Sequence, residues 1–192
     1  MQKRKVLVVT DKSIWRLEAG AHARTCALVD YLGTRTDLTV AALGPAQPGD
    51  EDILSGRPRA WGFVWLARDR ELGPKEYARR VHEYCVDNNV DVCIIERLHL
   101  AYLREALPPG VRAFIDTHDL VSVREAALRA HRLRDEHTVT RDQEFAILGK
   151  FDRTILIQQE DYADLCIAIG AEKCILTPHP VDFSKQTVRL RV

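Results

Sequence analysis

Lys5-Val-Leu-Val-Val-Thr10, followed by Gly20-Ala-His-Ala-Arg24-Thr-Cys-Ala-Leu28-Val-Asp-Tyr-Leu32, decides the fold. The first run is short, apolar and rich in β-branched residues, which is the pattern of a buried strand. The second sets Ala23, Ala27, Leu28 and Tyr31 on one face at helical spacing, with Gly33 as a candidate C-cap. Residues 11–18 between them read as a loop. The alternation then repeats outward. Residues 38–43 read as a strand stopped by Gly44-Pro45, and 45–59 as a loop rich in Pro, Gly and acid. A short strand at 61–66 precedes a helix at 74–89, whose opening Pro74 sits where a missing N–H costs little. Val90-Asp-Val-Cys-Ile-Ile-Glu96 reads as a buried strand, 98–107 as a helix ended by Pro108-Pro109-Gly110, and 111–116 as a further strand.

The region 121–150 has helical spacing and a dense mixture of Arg with Asp and Glu, the composition of a solvated face. Thr140, with Gln143 after it, offers a second helix start inside that region. A strand at 154–157, a helix at 159–169 closed by Gly170, and a strand at 173–177 complete the series before Pro178-His-Pro180. Strands alternating with helices predict an α/β fold: a three-layer Rossmann-like sandwich with a doubly wound, mostly parallel sheet of about seven strands.

The 192 residues suit one large domain, able to bury a core without staples. Lys plus Arg and Asp plus Glu both number 28, so the net charge is zero and neither nucleic acid nor a membrane surface is an expected partner. The five cysteines include no CxxC, and an odd number cannot all pair within the chain; buried thiols in a reducing cytoplasm are the simpler reading. No secretory leader and no apolar run of membrane-spanning length is visible.

In a parallel sheet, ligands bind beyond the carboxyl ends of the strands. That rule selects residues 10–20, 96–99, 116–119, 158–161 and 178–182. Gly20 opens a helix whose free N–H groups can face a phosphate or a sugar hydroxyl, or it simply makes a tight turn. GxGxxG and GKS or GKT are missing, which argues against a dinucleotide site and a P-loop. Asp116-Thr-His118-Asp119 is the sharpest cluster. His118 can exchange a proton near neutrality, with Asp116 or Asp119 orienting the ring; alternatively Asp119 caps the next helix and His118 fills a turn. Glu96 and Arg97 can contact ligand hydroxyls or form a rim ion pair, in a polar burst that runs on to His99. No HExxH, no other metal-ligand spacing and no GxSxG occurs, so neither a metal nor a cofactor is expected.

Taken in order, these segments resemble the N-terminal domain of GT-B glycosyltransferases, in particular the GT4 group. The resemblance runs from Lys5 to Asp182. It rests on the Gly20, Arg24 and Leu28 pattern of the first helix and on Ala113-Phe-Ile-Asp-Thr-His118-Asp119. It rests also on Glu144 preceding Asp152 in a helix-to-strand step, on Gln159-Glu-Asp-Tyr-Ala-Asp-Leu165, and on Ile175-Leu-Thr-Pro178-His-Pro-Val-Asp182. The chain departs from the pattern with a single glycine in the first loop, Gln158 where Ser or Thr is common, and His179-Pro180 where Asn-Gly is frequent.

The resemblance implies a retaining transfer of sugar from a nucleotide-diphosphate sugar to an acceptor. Residues 1–182 would form the acceptor-side domain and 183–192 a linker or tail. The donor-binding domain would lie outside this chain, so the chain alone is expected to show no turnover. His118 and Asp119 would act catalytically near the transferred sugar. Gly20, Arg24, Glu96, Arg97 and Asp116 would bind substrate. Two other readings stay open: a non-catalytic Rossmann-like module for a nucleotide, a sugar or a partner protein, and another GT-B-fold enzyme such as a sugar-nucleotide epimerase.

Overall fold

The computed structural model describes residues 3–56, 58–133 and 138–178. The charged residues Arg134, Asp135 and Glu136, the exit from His179 to Asp182, and the linker at 183–192 lie outside the described residues.

Seven strands form one sheet: β1 (Lys5–Thr10), β2 (Asp37–Ala42), β3 (Gly62–Trp65), β4 (Val92–Glu96), β5 (Arg112–Asp116), β6 (Arg153–Leu156) and β7 (Cys174–Leu176). Their order is β3-β2-β1-β4-β5-β6-β7, and every pairing is parallel. All carboxyl ends therefore meet at one rim. The winding reverses between β1 and β4, which is where an open α/β sheet leaves its crevice.

The helices are α1 (Gly20–Gly33), α2 (Asp50–Gly56), α3 (Pro74–Asn88), α4 (Val121–Ala130), α5 (Arg141–Leu148) and α6 (Gln159–Ile169). Strand alternation sorts the core into two layers. Leu7 and Val9 of β1 join Val81, Cys85, Ile95 and Leu103 on one face. Val6 and Val8 join Trp15, Val29 and Leu38 on the other. Each such fully buried side chain contributes roughly 1.5–3 kcal/mol. Cys26, Cys85, Cys93 and Cys174 are buried among these residues. No helix among the described residues is long and apolar enough to cross a membrane.

Several local expectations change. The loop expected at 45–59 contains α2, whose first turn carries Asp50, Glu51 and Asp52 in favourable alignment with the helix dipole. The segment Leu98–Ala106 is a 3-10 helix. Gly33 ends α1 from within, and Thr34 is the C-cap. What Gly33 supplies is space: a Cβ there would stand 2.7 Å from the Ala60 carbonyl oxygen. The charged region does divide in two, and Thr140 with Gln143 forms a complete capping box at α5.

Carboxylates bind backbone across elements. Asp91 Oδ2 accepts from the Lys5 N–H, and Asp152 Oδ2 from the Ala113 N–H, each at 2.8 Å. Glu144, fully buried on α5, accepts from the N–H groups of Val121 and Ser122 at 2.8 and 2.9 Å. It caps α4 from a different helix. Asp161 accepts from the Leu120 N–H at 3.2 Å.

Candidate functional site

Helix α1 packs on one face of the sheet through Val29, and its first turns bring Arg24 and Thr25 to the carboxyl rim. Arg24 Nη1 donates to Asp116 Oδ2 at 2.5 Å, and Nη2 donates to Thr177 Oγ1 at 2.8 Å. Arg24 and Asp116 are 3% and 1% exposed. Removing either would strand a buried charge. Beside them, Glu96 Oε1 accepts from the Thr25 hydroxyl at 2.6 Å and lies 2.9 Å from His118 Nε2. Burial pushes the Glu96 carboxyl up. The hydrogen bond and charge of His118, with the Thr10 and Thr25 hydroxyls, outweigh that and hold it below its ordinary value.

His118 has a left-handed backbone, φ 62°, which is uncommon outside glycine. Its Nε2 is engaged by Glu96, and its Nδ1 is shielded from solvent with no partner. The ring is oriented by Glu96, not by the neighbouring aspartates. Asp116 holds Arg24, and Asp119 accepts from Arg124 Nη1 at 2.8 and 3.0 Å. Asp119 does not cap α4, because Glu144 does. Gly20 is exposed at the start of α1, and a Cβ there would meet nothing within 4 Å. Arg24, Glu96, Asp116 and His118 thus form one buried network under the rim, joined to Arg97 through its N–H on the Asp116 carbonyl at 2.7 Å.

Two hollows open at the carboxyl rim, the second of them lined by Arg97 and His118 of this network. One, about 690 Å³, is walled by Trp15, Trp65, Tyr77 and Tyr102, with Arg16 and His22 at its polar side. The other, about 810 Å³, is walled by Lys12, Ala21, Arg97, His118, Asp119 and Arg124. Asp11, Lys12 and His99 line both. His99 Nε2 lies 2.9 Å from Asp11 Oδ2, and the two side chains are 25% and 26% exposed. Burial raises the Asp11 carboxyl; the hydrogen bond and charge of His99, then Lys12 and Arg97, bring it below its ordinary value. This imidazole–carboxylate pair is open to both hollows, whereas His118 has its ring nitrogens turned away from solvent. Among the described residues no cluster of three or more His, Cys, Asp or Glu could hold a metal ion.

Asp11 and His99 both fall within the rim segments selected from sequence, but their pairing does not show there. It depends on β1 and β4 being neighbours at the point of reversal. His22 was not singled out from sequence; its Nδ1 is buried without a partner beside the aromatic hollow. The aromatic wall was also missed: Trp15 meets Phe63 and Trp65 edge-on, at 4.9 and 5.4 Å between centroids. The Phe63–Trp65 alternation on a strand was the available signal.

No family model matches the chain, and no curated protein sequence does. Among solved structures, the chain is similar to a UDP-glucosyltransferase from Polygonum tinctorium capable of glucosylating indoxyl, in complex with 3,4-dichloroaniline. Identity is 12% and the TM-score 0.60, over 92% of this chain and 52% of that one. Phytolacca americana UGT2, complexed with UDP-2fluoro-glucose and pterostilbene, matches at 10% identity and TM-score 0.45, over 84% of this chain and 49% of that one. The chain spans about half the length of these structures. At such identity the likeness establishes the fold. It also corrects the GT4 assignment, because a solved structure to which the chain is similar in fold is a plant UDP-glucosyltransferase. The physical reason is visible in the motifs that carried that assignment. Glu144 and Asp152 cap backbone, Asp161 binds the start of α4, and Arg24 is buried in an ion pair, so these residues report the fold and not the group within it. In fold, the chain resembles the N-terminal half of a two-domain GT-B glycosyltransferase.

Proposed function

We propose that the chain is the acceptor-side half of an enzyme that moves a sugar from a nucleotide-diphosphate sugar, of the UDP-sugar class, to a hydroxyl-bearing acceptor in the cytoplasm. The observation that carries this reading is the Asp11–His99 pair lining two hollows at once. In the proposal, the aromatic hollow holds the acceptor and the cationic hollow faces the donor. The two ligands meet at His99. An imidazole held by a carboxylate takes the acceptor's proton as the new glycosidic bond forms, which raises the nucleophilicity of the oxygen. Lys12 and Arg97 bring positive charge to the hollow where the diphosphate departs. His118 and Asp119 border the transferred sugar. Arg24, Glu96 and Asp116 keep the rim in place beneath it, and Gly20 leaves the start of α1 open. A donor-binding half completes the cleft. Retention of configuration rested on the GT4 resemblance and is withdrawn with it.

The test is transfer from UDP-glucose to a panel of small phenols and alcohols, with the donor-binding half present, followed by mass spectrometry. His99→Ala is expected to lower the rate by about 100-fold or more. An unchanged rate in that variant would refute the role of His99. Asp11→Asn should fall by a smaller factor at neutral pH, because the ring loses its orienting charge but keeps its place.

A further inference from the structure

Asp50 is fully buried at the start of α2 and does not line either hollow. Its carboxylate nevertheless gathers four donors. Trp15 Nε1 donates to Oδ1 at 2.9 Å and Arg16 Nε donates to the same oxygen at 2.7 Å. The Gln47 N–H donates to Oδ2 at 2.8 Å, and the Ser13 hydroxyl does so at 3.4 Å. All four donors belong to residues that line the aromatic hollow. They come from two different loops, the one after β1 and the one after β2. A single buried carboxylate therefore fixes the position of a wall assembled from separate parts of the chain. Arg16 is secured a second time by Nη2 on the Pro48 carbonyl, 2.7 Å away. Trp15, tied at its N–H, has its ring set against Phe63 and Trp65.

From this arrangement we infer that Asp50 is the positioning residue of the acceptor hollow: it sets where Trp15 and Arg16 stand and so determines which acceptor fits. The inference rests on the proposed function for the identity of the occupant. It concerns a residue that touches no ligand. The carboxylate has no interchangeable substitute, because a neutral amide presents one acceptor oxygen where two are used and adds a donor beside the Gln47 N–H. Without it, the Trp15 N–H and the Arg16 guanidinium must find other partners, and the hollow loses its defined shape before it loses its lining.

The probe is 4-nitrophenol, a flat phenol suited to an aromatic wall, titrated into the 192-residue chain with binding followed by ligand-observed NMR well below the melting temperature. Asp50→Asn is expected to weaken binding by about tenfold or more. Asp50→Glu keeps the carboxylate but moves it by one methylene and leaves every lining residue unchanged, so it serves if Asp50→Asn does not fold. It should weaken binding by about threefold. A purely structural role would lower the melting temperature of these variants and leave the affinity unchanged, and that result would overturn the inference. If the wild-type chain binds no 4-nitrophenol, the acceptor hollow itself is refuted and the role of Asp50 falls with it. Equal binding by wild type and both variants would refute Asp50 alone.

Discussion

Asp11, Asp50 and Glu96 are carboxylates that burial alone would push up, yet each is held below its ordinary value by the donors around it. His99, Lys12 and Arg97 act on Asp11; Trp15, the Gln47 N–H and Arg16 on Asp50; His118, Thr10 and Thr25 on Glu96. A carboxyl whose folded value is depressed stabilises the fold above its unfolded value, and that stability is lost as the pH falls through the folded value. The urea midpoint should therefore fall between about pH 5 and pH 3. Asp161 works in the opposite sense: burial raises it, and Asp119, Glu144 and Asp164 add to the rise. Replacing Asp161 with Asn should lessen the strain at neutral pH while keeping an oxygen for the Leu120 N–H. A midpoint that stays flat over this range would show that these carboxylates gain nothing from their partners. Single residues were the least legible part of the sequence. His118 and Glu96 were both chosen as ligand groups, but a residue's type and place at a strand end do not show that the two bond each other across neighbouring strands. Helix α1 joins them there, by bringing Thr25 and Arg24 to the rim.

Helix α4 begins at Leu120 and Val121, neither of which can cap it, and Glu144 supplies both bonds from α5. Truncating Glu144 to Ala should destabilise the protein by about 2–4 kcal/mol, since it removes a charged cap and strands a buried N–H. Glu144→Gln should do less, because the amide oxygen still accepts one bond. Urea unfolding of the two variants measures the difference; equal losses would mean that volume, not hydrogen bonding, is what Glu144 provides. The elements themselves read well where periodicity was long or caps were complete, as at β1, α3 and the Thr140–Gln143 box. Helix α2 did not, because its seven residues carry only Ile53 and Leu54 as apolar markers and stand among prolines and glycines. The 3-10 geometry of Leu98–Ala106 also escaped, since its residues fit either helix type and the difference is set by packing on the sheet.

Across the whole molecule, one parallel sheet buried on both faces puts stability at the centre and variation at the rim. β1 and β4 are paired on both sides, while β3 and β7 stand at the edges. Amide exchange should be slowest in β1 and β4 and faster by about tenfold or more in β3 and β7. Uniform exchange across the sheet would contradict this. The parallel sheet of about seven strands was legible because strand alternates with helix along the chain, but the order of the strands, and with it the neighbourhood of β1 and β4 that brings Asp11 to His99, was not. That meeting has a further consequence. Asp11, His99 and Lys12 are the side chains common to the two chambers, and each turns about single bonds. A guest long enough to reach from one room into the next has to pass them, so the length the protein tolerates should answer to changes at these three positions and not to changes in the strands.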